Sequence, residues 1–268
     1  MIAPVNGVGE SRPSDPSSRD AESLVRRGVL TARALEFLEI CLKARLNLAI
    51  CGPAGSGKRA LLHDLVPRMA GDGQILAIQN PDEPSLEQPG VTSLRAHLMP
   101  GNEGPGITRR YLLALAPKMH PMGLVLDQVE GAEAVPLLQL LLATDGVLFS
   151  MVAASPREAL LTLESLVSKH GEGSDATLAR RILSTALQLV VQLGKAQNDD
   201  SVVVSLTEVA EPEEGAYVLR DIFANVDSEA PDKGWTGSGC GLRPTGLRPL
   251  FLRRLQTVGI VVPEHVFS

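Results

Sequence analysis

Two glycines and a lysine at fixed spacing, Gly52, Gly57 and Lys58 in CGPAGSGKRA (51–60), are the residues best placed to do chemistry. The pattern G-x-x-x-x-G-K-[ST] surrounds anionic oxygens with backbone N–H groups and directs the lysine at β- and γ-phosphates. It closes on a hydroxyl that ligates Mg²⁺. Gly52, Pro53, Ala54, Gly55, Ser56, Gly57 and Lys58 therefore form a candidate nucleotide-binding loop, and Arg59 stands where the hydroxyl belongs. A guanidinium has donors only, so Arg59 brings positive charge to the metal's place and cannot ligate the metal. A glycine-rich turn carrying an exposed lysine is the competing reading. Context favours phosphate: the apolar run LNLAI precedes the loop and KRALLHDLVPRM, with Leu61, Leu62 and Leu65 on one side, follows it. That order places a helix N-terminus against the anion.

The rest of the composition is restrictive. His63, His97, His120, His170 and His265 are scattered, and Cys41, Cys51 and Cys240 share no ligand spacing with them, so no metal site is expected. A net charge of −6 and 3% aromatic residues argue against nucleic acid. The one basic cluster, RPTGLRPLFLRRL, reads as structural or subunit-facing. The apolar stretch 136–152 is broken by Asp145 and Gly146 and is too short to span a bilayer. The N-terminal residues are Pro/Ser/Gly-rich and not apolar, so a cytoplasmic protein is expected, at most peripheral to a membrane.

Strands are expected at LNLAI, QILAI, GLVLDQV and GVLFSMVA, alternating with helices. Thr31 caps a helix to Ala44, and Ser155, Pro156 and Glu158 mark the start of another. A helix carrying Pro136 runs through AEAVPLLQLLLA, and LARRILSTALQLVVQLG passes from helix to strand. SVVVSLTEVA and AYVLRDIFAN form an antiparallel pair joined at EPEEG. The alternation predicts an α/β domain, a mainly parallel sheet with helices on both faces plus a C-terminal antiparallel strand pair. Residues 1–22 have the composition of a disordered arm, 23–225 form the main domain, 226–241 a loop, and 242–268 the closing segment of the same domain.

The segment LVRRGVLTARALEFLEICLKARLNLAICGPAGSGKRALL resembles the CpaF/TadA-type ATPases of tight-adherence (Flp) pili, within the type II and type IV secretion ATPases. The likeness continues through LEQPGV, GNEGPGITRRYLL, EGAEAVPLLQLL, ASPREALLTLESLV and SLTEVA to RPTGLRPLFLRRLQTVGIVVPEHVF. It implies a RecA-like P-loop NTPase domain.

Set against that family's motifs, the chain has lost charge or ligand chemistry in each of four. The Mg²⁺-binding threonine is Arg59. The aspartate box falls on 78–84, its first two acids replaced by Gln79 and Asn80, with Glu83 retained. The Walker B glutamate is Gln128 and the arginine after it is Glu130, with Asp127 one place earlier as a residual acid. The histidine box carries Val152 at the histidine, and two expected arginines fall on Ser93 and His97. Period-two alternation should turn Asp127 away from Gln128, a rule that relaxes if the strand ends there. Amides cannot polarise water as carboxylates do.

Three functions follow as expectations. The first is a non-catalytic (pseudo-ATPase) subunit that binds ATP or ADP weakly, holds Mg²⁺ poorly, and docks on an active CpaF-like ATPase or on the inner-membrane platform of the machine. The second is an active pilus-assembly or secretion ATPase with unusual residues. The third is an unrelated phosphate-loop kinase.

Overall fold

A computed structural model describes residues 24–69, 71, 73–97, 106–171, 175–196, 199–225, 240–257 and 259–268. The expected arm at 1–22 lies outside them, as does most of the expected loop, 226–239.

One nine-stranded sheet organises the chain, in the order β3-β2-β4-β5-β1-β6-β7-β8-β9. The strands are β1 (Leu48–Gly52), β2 (Ile75–Gln79), β3 (Val91–Arg95), β4 (Gly123–Leu126), β5 (Val147–Val152), β6 (Leu189–Lys195), β7 (Ser201–Glu213), β8 (Ala216–Asn225) and β9 (Leu242–Pro244). The strands from β3 to β6 in that order are mutually parallel, and β7, β8 and β9 continue the sheet antiparallel.

The expected mixed sheet is therefore present, with its antiparallel part extended to β9 beyond the expected pair. The β7–β8 connection is tighter than EPEEG. Glu213 pairs with Ala216, and Glu214 and Gly215 both take positive φ (49° and 77°), the signature of a two-residue turn matched to strand twist.

Helices cover both faces. They are α1 (Ala32–Lys43), α2 (Lys58–Leu65), α3 (Arg109–Leu115), α4 (Ala134–Ala143), α5 (Pro156–His170), α6 (Ala176–Ala186) and α7 (Leu252–Thr257). Strand alternation assigns the faces. On β1, Leu48 and Ile50 join the core beneath α1 and α2, while Ala49 and Cys51 join the core beneath α3 to α6.

The caps fall where the sequence places them. Thr31 accepts from Ala34 N, and Ser155 accepts from Glu158 N while Glu158 accepts from Ala154 N. Pro136 is the third residue of α4, inside the first turn, where a missing N–H leaves no helical bond unmade. Among the described residues no helix is long and apolar enough to cross a membrane.

Candidate phosphate-loop site

The carboxyl ends of four parallel strands converge on one place, the usual ligand position in open α/β sheets. β1 ends at Gly52 and enters the loop, β2 delivers Gln79, β4 delivers Asp127, and β5 delivers Val152, which is in register with Gly52.

The loop has the shape its glycines require. Gly55 and Gly57 have φ of +73° and +81°, and Gly57 caps α2. A Cβ on Gly52 would lie 2.5 Å from Ser56 Oγ and 2.9 Å from the Leu193 carbonyl oxygen, so no side chain fits there. Pro53, Ala54 and Gly55 are exposed, while Ser56 is buried with its hydroxyl unpartnered. Lys58 is buried. Its Nζ turns back to donate to the carbonyls of Gly52 (3.0 Å) and Pro53 (2.7 Å), and burial lowers its pKa from the usual lysine value.

Arg59 occupies the mouth of the site between two acids. Its Nε donates to Asp127 Oδ2, and its Nη2 lies 3.9 Å from Glu83 Oε1. The Asp127 hydrogen bond raises the Arg59 pKa further. Both acids are buried. Asp127 Oδ1 accepts from Ser150 Oγ, Glu83 Oε1 accepts from Asn80 Nδ2 at 2.9 Å, and Glu83 Oε2 is buried without a partner. Burial raises the Glu83 pKa.

Mg²⁺ demands oxygen ligands in near-octahedral order. In this arrangement Arg59 and Ser150 take up both Asp127 oxygens, and position 59 offers no hydroxyl to a metal.

The other candidate positions point elsewhere or are held by neighbours. Gln79 uses both ends of its amide: Nε2 donates to Pro84 O (2.7 Å) and Oε1 accepts from Leu86 N (3.3 Å). Gln128 is half-buried, has φ +53°, and donates to Glu130, while Val152 is exposed. Asp127 lies one residue past the end of β4, where alternation no longer binds it, and it is Asp127 that faces Arg59. Ser93 Oγ donates to Leu86 O (3.1 Å), and His97 is exposed with its backbone N–H on Ile107 O (2.8 Å).

Sequence reasoning missed two arginines. Arg95, between Ser93 and His97, donates to Glu83 O at 3.0 Å. Arg109, buried in the first turn of α3, donates to the carbonyls of Asp127 and Gln128. Their signal was slight, an arginine on an edge strand and another just after the capping Thr108.

The fold and this strand–loop–helix site define a phosphate-loop domain. The chain belongs to the type II/IV secretion system protein family, which residues 12–240 match. It is 28% identical over 182 residues to a Mycobacterium tuberculosis (strain H37Rv) protein named for conjugal transfer, covering 67% of this chain and 51% of that protein. It is 27% identical over 160 residues to VirB11 of Agrobacterium fabrum, covering 58% and 46%. The chain thus spans about half the length of the curated relatives it matches. The crystal structure of the VirB11 ATPase from the Brucella suis type IV secretion system, in complex with sulphate, superposes with a TM-score of 0.58 at 20% identity. That match covers 74% of this chain and 57% of that one, and shows a shared fold.

Proposed function

We propose that this chain is a non-hydrolysing relative of the secretion ATPases, of the CpaF/TadA type, serving as a binding or regulatory subunit of a pilus or secretion machine. The observation that carries the reading is Arg59, bonded to Asp127 and close to Glu83 at the place a phosphate-bound Mg²⁺ would use. Phosphate hydrolysis depends on metal, acids and donors placed around the transferring group. In this chain the metal-binding hydroxyl is a guanidinium, three acids are the amides Gln79, Asn80 and Gln128, and Val152 replaces a histidine. The strand order, loop glycines and caps that build the fold are intact.

The loop still offers amides and Lys58 to an anion, so ATP or ADP binds weakly and without need of Mg²⁺. A fold kept without its chemistry is useful through contact. The partners in this reading are an active CpaF-like ATPase or the platform proteins at the inner membrane, met from the cytoplasmic side.

The test mixes this chain with the active relative from the same machine and measures particle mass and the relative's turnover. Association with altered turnover is the expected result. A hydrolytically active homohexamer, or failure to associate with any component of the machine, would refute the reading.

The alternative, an active pilus or secretion ATPase, has support in Asp127, an acid placed beside the loop just past the end of β4. That acid is engaged by Arg59 and Ser150.

A further inference from the structure

We infer that Asp127 and Glu83 act as a built-in anion that holds Arg59 off the phosphate loop, so that a metal-free diphosphate group enters by exchanging with them. The inference rests on the reading of the loop as a phosphate site and adds how that site is regulated.

Both cations of the loop are engaged internally. Lys58 is folded onto the Gly52 and Pro53 carbonyls, and Arg59 is bonded to Asp127 and sits 3.9 Å from Glu83. Of the three charged members at the mouth, the acids are fixed and the arginine is free to move. The side chains of Asp127 and Glu83 are 8% and 7% exposed and are held by Ser150 and Asn80, whereas the Arg59 side chain is 40% exposed. Arg59 directly follows Lys58 at the start of α2, so its long flexible side chain can serve either the acids or a phosphate on the loop.

Exchange carries a cost. When Arg59 leaves, Asp127 keeps Ser150 and Glu83 keeps Asn80 and the attraction of Arg109, but both buried carboxylates lose the Arg59 cation, and Glu83 Oε2 already lacks a partner. That cost subtracts from the affinity for phosphate. The acids therefore oppose phosphate binding, the reverse of their role in a site where acids hold Mg²⁺ for the nucleotide. Exchange also reaches beyond the loop. Glu83 belongs to the 80–86 segment between β2 and β3, which Gln79, Ser93 and Arg95 also hold, so departure of Arg59 takes one ion-pair contact from that segment.

The test is calorimetric titration of the full chain with sodium pyrophosphate in the presence of chelator. The proteins are wild type, the double variant Asp127→Asn with Glu83→Gln, and Arg59→Gln. The double variant should bind about ten-fold tighter or better, because its competing charge is gone, and Arg59→Gln should bind more weakly than wild type. A double variant that binds no tighter than wild type overturns the exchange while leaving the loop a phosphate site. Absence of pyrophosphate binding by all three proteins overturns the phosphate reading itself, and the inference with it. Should the double variant fail to fold, hydrogen exchange on the wild-type chain answers the same question. Amide exchange in residues 80–86 should quicken when pyrophosphate is added, and unchanged or slower exchange there contradicts the inference.

Discussion

Arg109 Nη2 donates to the Asp127 carbonyl at 2.6 Å, and its Nη1 donates to the Gln128 carbonyl at 3.1 Å. The fork holds a bend that Gln128 adopts at a cost, since φ of +53° is disfavoured for any residue with a Cβ. Ser150 secures the other side, accepting from Gln128 N at 2.8 Å and donating to Asp127. The result is a carboxylate aimed at Arg59 from just past the end of β4.

Arg109→Ala is accordingly expected to destabilise the fold by about 3 kcal/mol, because a buried cation near Glu133 and two carbonyl partners are lost together. Arg109→Lys should recover only part of this, since an ammonium cannot fork across both carbonyls. Urea unfolding measures both, and an alanine variant within about 0.5 kcal/mol of wild type, the range of an ordinary surface change, would count against the clamp.

Gln79→Glu restores the acid that the related motif carries, yet it should harm this protein. The buried amide both donates to Pro84 O and accepts from Leu86 N, and a carboxylate can only accept. A loss of about 2 kcal/mol in urea unfolding is expected, with no gain of Mg²⁺-dependent turnover. An unchanged unfolding midpoint would show that the amide pair is dispensable.

Gly57→Ala meets two separate obstacles. The φ of +81° strains an L-residue by about 1–2 kcal/mol. The new Cβ would also lie 2.5 Å from Ser201 Oγ and 2.9 Å from Ser201 Cβ. Combining it with Ser201→Gly should remove the overlap and leave the backbone strain. Thermal unfolding of the single and double variants separates the two, and a double variant no more stable than Gly57→Ala alone would contradict the packing of β7 against the loop.

Much of this was readable from residue order. Continuous apolar runs, capped helices and the Gly-Lys loop placed β1, α2, β4 and β5 correctly, because burial on both faces leaves an unbroken apolar stretch. β3 escaped notice since its VTSLR stretch is only half-buried at the sheet edge and follows a Pro-Gly turn, so it reads as loop. β9 is three residues long, too short for any periodicity. At the site, the substitution at Arg59 was plain in the sequence, but its pairing with Asp127 and Glu83 was not. The three residues come from α2, the end of β4 and the β2–β3 connection, and only the sheet order brings them together. Arg109 was hidden for the same reason: a buried arginine bonded to carbonyls far along the chain has no local signature.

The central claim, that the fold is kept while hydrolysis is lost, is tested most directly by phosphate release from ATP with and without Mg²⁺. Wild type and Lys58→Ala should be indistinguishable at background, and Gln128→Glu should not restore turnover while Arg59 holds the metal's place. Robust Mg²⁺-dependent release by wild type that disappears in Lys58→Ala would contradict the account.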